Sequence, residues 1–394
     1  MTGDNAVKRY LSIFLIHYKM EEKMRIGVDA RALSEVKTGI GYYLYTLVRE
    51  IAKEDKKLEF FLFSNKEIFL DYSLPNVNVV VDKKSKFNQK GTIWFLTSAN
   101  RLIKEYAIDI FWGPCNVLPF IYNKKVKKLL TIHDLVFLKF PQTMEKRNYY
   151  INKVLIPFSI KSADKIVTIS KSTENDLKAL FKHACNKVSV IYNPVNIEDI
   201  GAKEEEEYFL NKDFARKGYI LYVGTIEPRK NIKILLDISE DIYIRTGLKV
   251  VLAGKMGWES EAVKQRVRDL SEKGFVKYLS YVNEKEKAIL MRNCFVFVFP
   301  SFYEGFGLPV VEALKYGAVV LVSDASSLRE LIDHQDLRFN PESSEQLKNK
   351  ILQLFNEKNI YDFYRRMCNN MAEKFDNKKI IKQYLKLFYE MLGK

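Results

Sequence analysis

Glu304 and Glu312 stand eight residues apart in the stretch Pro300-Ser-Phe-Tyr-Glu304-Gly305-Phe306-Gly307-Leu-Pro309-Val-Val-Glu312-Ala-Leu. The apolar run from Cys294 to Phe299 before it reads as a buried parallel strand. Pro309 suits the first turn of a following helix, where its missing N–H costs nothing. Gly305 and Gly307 let the backbone come close to a ligand, and the free N–H groups at a helix start attract negative charge. The spacing therefore predicts Glu304 on a loop and Glu312 in the first turn of a helix, framing a helix start suited to an anion.

A second chemical signature is Val223-Gly224-Thr-Ile-Glu227-Pro228-Arg229-Lys230-Asn231. Arg229 and Lys230 fall where a helix is predicted to begin, and cations there oppose the macrodipole. They make better sense if an anion lies between them, and phosphate oxygens suit both a planar guanidinium and a point-charge ammonium. A surface turn with an incidental Arg-Lys pair is the plainer reading. Thr131-Ile-His133-Asp134 ends another apolar run. One of only four histidines in the chain, His133 is either a hydrogen-bonding group for a sugar or acceptor hydroxyl, or a core residue satisfied by Asp134. Gly39 and Gly41, in Thr38-Gly39-Ile-Gly41-Tyr42, open a predicted helix and either admit a diphosphate or acceptor or simply make the turn. Gly254, after Leu252-Ala, reads the same two ways.

Short apolar runs alternating with longer amphipathic ones must position these residues, the pattern of β/α units around parallel sheets. Strands are predicted at Ile26–Asp29, Glu59–Phe63, Val77–Val81, Ile108–Trp112, Lys128–Ile132, Lys165–Ile169 and Val188–Ile191. A break is read at Tyr192–Ile197 and the acidic run Glu204–Glu207. A second series follows at Tyr219–Val223, Lys249–Leu252, Val276–Leu279, Phe295–Phe299 and Val319–Val322, with helix signals alone after Asn340-Pro341. Two doubly wound α/β domains follow, with every motif above at a strand end, where ligands bind in such sheets. A single large sheet accommodates the break poorly.

At 394 residues and 47% hydrophobic, the chain can fill two cores. The net charge of +15 lies mostly in residues 1–196, which carry 32 Lys and Arg against 19 Asp and Glu. That bias suits an anionic partner, whether a membrane surface, a lipid diphosphate or nucleic acid, or it is a solvated lysine-rich surface. The four cysteines form no C-x-x-C pair and no metal-ligand spacing, which reads as a reduced, cytoplasmic protein. Residues 1–23 read as a loosely docked or disordered extension, with Tyr10–Tyr18 apolar but too short to span a bilayer.

With these residues in place, the chain resembles glycosyltransferase family 4 over nearly all of Met24–Lys394. The resemblance rests on Arg25-Ile-Gly-Val-Asp-Ala-Arg31 with Thr38-Gly-Ile-Gly41, on Thr131-Ile-His-Asp-Leu135, on Gly224-Thr-Ile-Glu-Pro-Arg-Lys-Asn231 and on the acidic stretch. The ordered series looks most like the bacterial mannosyltransferase B-type subgroup, which serves O-antigen and other surface polysaccharides. It implies the GT-B fold: two Rossmann-like domains facing a central cleft, an acceptor-binding domain at 24–195, a sugar-nucleotide domain at 196–376, and a helix at 377–394 returning to the N-terminal domain.

The resemblance also implies roles. Arg229 and Lys230 match the diphosphate-binding pair, and Glu304 matches the residue that contacts donor-sugar hydroxyls. Backbone N–H groups of Gly305, Phe306 and Gly307 assist, and Glu312 matches the ribose-binding carboxylate. Gly41, with Gly39, would face the diphosphate across the cleft, and His133 would sit near the transferred sugar. Some relatives carry an arginine where this chain has Thr225, so Arg229 or the Gly41 backbone must supply that contact. Transfer would retain anomeric configuration and need no metal or other cofactor, since there is no Asp-x-Asp motif. The implied donor is GDP-mannose, and the acceptor a glycan or polyprenyl-diphosphate-linked glycan. The protein would be cytoplasmic, with peripheral contact to an anionic membrane and no nucleic-acid partner. A UDP-sugar enzyme of the same family, a sugar-nucleotide epimerase or a phosphorylase on the same plan, and a non-catalytic basic membrane- or nucleic-acid-binding protein are the alternatives.

Overall fold

The computed structural model describes residues 23–34, 39–85, 90–143, 146–210 and 212–394. The extension up to residue 22 and Thr38 lie outside them. Two sheets carry the fold. The first has strands β1 (Met24–Asp29), β2 (Leu58–Ser64), β3 (Val77–Val81), β4 (Ile110–Gly113), β5 (Lys127–Ile132), β6 (Lys165–Thr168) and β7 (Val188–Val190), in the order β3-β2-β1-β4-β5-β6-β7. The second has β8 (Tyr219–Val223), β9 (Lys249–Ala253), β10 (Val276–Tyr278), β11 (Val296–Phe299), β12 (Val319–Ser323) and β13 (Arg338–Phe339), in the order β10-β9-β8-β11-β12-β13. Both reverse direction beside their first strand, the winding of Rossmann-like sheets. Parallel register places Ile26 opposite Phe60 and Ile110 in one, and Ile220 opposite Val250 and Val296 in the other.

The sequence dictates this because central strands of a parallel sheet are covered on both faces and must be apolar throughout. Tyr219–Val223, Val296–Phe299 and Val319–Ser323 are buried at every position. The edge strand Val77–Val81 is only half-buried and reads less uniformly. Strand positions agree with the sequence expectation to within a residue or two, except β13, whose two residues are too few to show a pattern. The acidic run Glu204–Glu207 falls between the last strand of one sheet and the first of the other, in the helix Ala202–Leu210, with Glu205 turned inward to Asn293 (2.9 Å) and Arg292 (3.5 Å).

The chain forms two compact units. One comprises the described residues of Met1–Thr131 with Phe158–Ile166 and Ile381–Lys394; the other comprises Ile132–Pro157 and Val167–Ile380. In the first, the C-terminal helix (Asn377–Met391) supplies Tyr384 and Phe388 to the core. The Tyr384 hydroxyl meets that of Tyr43 at 2.5 Å, Tyr43 meets Thr131 Oγ1 at 3.1 Å, and Trp112 Nε1 donates to the same oxygen at 2.9 Å. Buried polar atoms there satisfy one another, and this pins the C-terminal helix beside β4 and β5. Among the described residues, no helix is long and apolar enough to cross a membrane.

Candidate active site

In the second unit the chain leaves β8 and β11 side by side, at the point where the strand order reverses. After β8 comes a single 3-10 turn, Pro228–Lys230, ended by Asn231 in the left-handed conformation (φ 54°); the α-helix starts only at Lys233. Arg229 and Lys230 thus stand on a tight turn and not on a helix N-terminus, which removes the dipole conflict anticipated for them. After β11 the loop Pro300–Gly307 runs beside that turn. Phe302 N–H donates to the Arg229 carbonyl at 2.9 Å, and Asn231 Nδ2 donates to the Pro300 carbonyl at 3.2 Å.

The side chains converge accordingly. Lys230 Nζ lies 2.6 Å from one Glu304 carboxylate oxygen and Arg229 Nη1 lies 3.1 Å from the other. Arg229 also pairs with Glu227 at 2.7 Å and donates to the Tyr303 carbonyl at 2.5 Å. The Lys230 ammonium sits 5.3 Å from the centre of the Phe299 ring. The expected anion between the two cations is, in the free protein, Glu304 itself. Only 7% of Glu304 is exposed. Burial alone would push its carboxyl up, but Lys230 and Arg229 hold it down at about 2, fully ionised at neutral pH.

The loop is fastened from behind by residues that the sequence did not single out. Ser326 Oγ accepts the Glu304 N–H at 2.8 Å, and the fully buried Ser327 hydroxyl reaches the Glu304 and Phe306 carbonyls at 3.0 and 2.7 Å. Gly305 is required by packing: a Cβ there would stand 2.1 Å from the His133 carbonyl oxygen. Thr173 Oγ1 lies 3.3 Å from that carbonyl and 3.2 Å from the Gly305 carbonyl. The structure therefore brings the buried His133, by its backbone, against the Glu304 loop, while an Asp134 carboxylate oxygen accepts the Val136 N–H at 3.2 Å.

Gly307, with φ 101°, caps the helix Leu308–Lys315, and Pro309 lies in its first turn as expected. Glu312 does not. As the fifth residue of that helix it falls in the second turn, buried, with Lys287 Nζ 2.9 Å away and Glu284 2.7 Å from the same ammonium. Burial pushes the Glu312 carboxyl up and Lys287 opposes that. Lys287 left no readable signal in the sequence, because its partner lies a full strand and loop away. Gly254 is explained by packing too, since a Cβ would stand 2.0 Å from the Gly224 carbonyl oxygen. Gly39 and Gly41 open the helix Gly39–Glu54 of the first unit, Gly39 exposed and Gly41 buried.

Arg229 and Lys230 with Glu227 and Glu304 form a charge-compensated cluster beside the reversal point of a doubly wound sheet, where such sheets take their ligands. Residues 204–375 match the family model "Glycosyl transferases group 1", and residues 37–199 match "Glycosyltransferase Family 4". The O-antigen chain mannosyltransferase B of Escherichia coli is 30% identical over 336 residues, covering 80% of this chain and 86% of that one. The O-antigen chain mannosyltransferase RfbU of Salmonella typhimurium is 26% identical over 354 residues, covering 87% and 94%. Among solved structures, a sucrose-phosphate synthase of Thermosynechococcus elongatus superposes with a TM-score of 0.76 at 17% identity, covering 94% of this chain and 100% of that one. The chain belongs to glycosyltransferase family 4, with the GT-B fold, and is a glycosyltransferase.

Proposed function

We propose that this glycosyltransferase moves mannose from GDP-mannose, with retention at the anomeric carbon, onto a glycan or polyprenyl-diphosphate-linked glycan of an O-antigen-type surface polysaccharide. The reaction would take place at the cytoplasmic side of the membrane. The observation that supports it above all is the Arg229–Lys230–Glu304 cluster at the β8/β11 reversal, in a chain similar to two O-antigen mannosyltransferases.

In this reading the donor diphosphate competes with Glu304 for the two cations. The bond between the anomeric carbon and the phosphate oxygen breaks, its electron pair stays on the diphosphate, and Arg229 and Lys230 stabilise the charge that develops there. The freed carboxylate oxygens of Glu304 accept hydroxyl hydrogens of the sugar, and backbone N–H groups at Gly305, Phe306 and Gly307 add to the grip. Glu312, oriented by Lys287, takes the ribose hydroxyls. The acceptor oxygen bonds to the anomeric carbon on the face the leaving group vacates, and its proton passes to a diphosphate oxygen. His133 is assigned to the neighbourhood of the transferred sugar, and Gly39 and Gly41 to donor contacts.

Both cations come from the protein, so no metal is required for charge neutralisation. Incubation with GDP-mannose and a mannose-terminated acceptor should give an α-linked product by NMR, at a rate unchanged by EDTA. A β-linked product would overturn retention, and a strict Mg²⁺ requirement would overturn the metal-free mechanism.

A further inference from the structure

A cavity of about 460 Å³ opens beyond the carboxyl ends of β12 and β13, lined by Asp324, Arg329, Arg338, Asn340, Gln346 and Lys350 among others. It is large enough for a sugar, small-molecule sites running to about 300–1,000 Å³. Its carboxylates are already engaged. Asp324 takes Arg329 Nε at 2.9 Å and Arg338 Nη1 at 3.2 Å, and Asp336 accepts the Tyr364 hydroxyl at 3.0 Å.

Arg329 and Arg338 are thus paired through Asp324, but the Lys350 ammonium and the Arg338 Nε are not matched in the same way. Lys350 Nζ donates to a neutral acceptor, the Asp336 carbonyl at 2.7 Å, and has no ion pair among the described residues. Arg338 Nε is buried with no acceptor among them. Burial pushes the Lys350 ammonium down from its ordinary value, opposed by the nearby Asp336 carboxylate. A buried donor without an acceptor calls for an explanation.

We propose that this cavity binds an oxyanion carried on a sugar-sized ligand, held by Lys350 and Arg338 with the side-chain amides of Asn340 and Gln346 toward its hydroxyls. The site is separate from the Arg229–Lys230 cluster but tied to it: Asn231, next to Lys230, donates to the Pro341 carbonyl at 2.8 Å on the cavity wall. An occupied cavity therefore bears on the turn that carries both cations. The inference stands whether or not the donor is GDP-mannose.

Inorganic phosphate titrated by calorimetry into the full chain, the Lys350→Met variant and the Gln346→Glu variant tests it. Glutamate at 346 keeps the acceptor that now takes the Asn340 N–H at 2.6 Å, so this variant adds repulsion without removing a structural bond. Any phosphate held at Arg229 and Lys230 is common to all three proteins and cancels. Binding weakened at least about tenfold in both variants is expected, about 1.4 kcal/mol by the standard conversion. Equal binding in all three, or none in the parent, overturns the site. A hexose 6-phosphate binding tighter than phosphate would mark a free phosphorylated sugar as the ligand. A hexuronic acid doing so would mark a charged residue of a glycan.

Discussion

The two sheets are wound alike, yet their reversal points carry different electrostatics. Beyond β1, Asp29 and Arg31 are two residues apart and form a closed fork: Arg31 Nε and Nη2 each lie 2.8 Å from an Asp29 oxygen, and the guanidinium caps Phe95 at 4.1 Å. Beyond β8 and β11, Glu304 instead draws two cations from a loop 74 residues away in sequence. The first pair assembles locally and has its geometry complete. The second exists only once both loops are in place, and in the proposed mechanism a phosphate takes the place of the carboxylate its cations share. The same fold thus makes a local pair in one place and a long-range cluster in the other, and the proposed function treats the second as exchangeable.

Breaking the exchangeable cluster should have the largest effect. Glu304→Ala should lower transfer by about a thousandfold or more, through lost sugar contacts and misplaced cations. It should also destabilise the protein by about 3 kcal/mol, because Lys230 loses its ion-pair partner while Arg229 keeps Glu227. Glu304→Gln separates the two consequences by keeping hydrogen-bonding capacity. Because the folded carboxyl lies near 2, below its ordinary value of 4.5, its stabilisation is present above about pH 4.5 and is lost as pH falls toward 2. Acid unfolding of Glu304→Gln should therefore show a flatter limb across that window than the wild type. An unchanged limb would mean the pair adds nothing.

Lys230→Ala comes next. Loss of one charge on the leaving group should reduce kcat by about a hundredfold to a thousandfold while the folded state persists. Lys287→Met should act more mildly. It leaves Glu312 buried without its cation and so more readily protonated, raising the donor KM by about tenfold with a smaller change in kcat. Smallest of all is Asp29→Asn, which should lower the melting temperature yet leave donor KM within about twofold. A large donor effect there would erase the contrast between the two reversal points.

The fold was largely legible because buried parallel strands must be continuously apolar, as Val296–Phe299 and Val319–Ser323 are. Arg229, Lys230 and Glu304 could be placed on turns at strand ends because glycine and proline mark those segments. Their mutual pairing was not, since no local pattern encodes a contact across 74 residues. Lys287, Ser326 and Ser327 escaped for the same reason: each looks like an ordinary polar residue until the loop it supports lies beside it. Glu312 was misplaced by one turn because the helix starts at Leu308, directly after Gly307. The inward turn of Glu205 to Asn293 was not legible, because four successive carboxylates hide that face of the helix.

Whether the cluster at β8 and β11 holds a nucleoside diphosphate sugar is decided by calorimetry of GDP-mannose, GDP, UDP-glucose and UDP on the wild type and Lys230→Ala. Selective binding of the guanine pair, weakened at least about tenfold in the variant, is the expected result. A preference for uracil would replace the donor while keeping the site. Binding unaffected by the loss of Lys230, or no binding at millimolar nucleotide, would contradict the assignment of the cluster altogether.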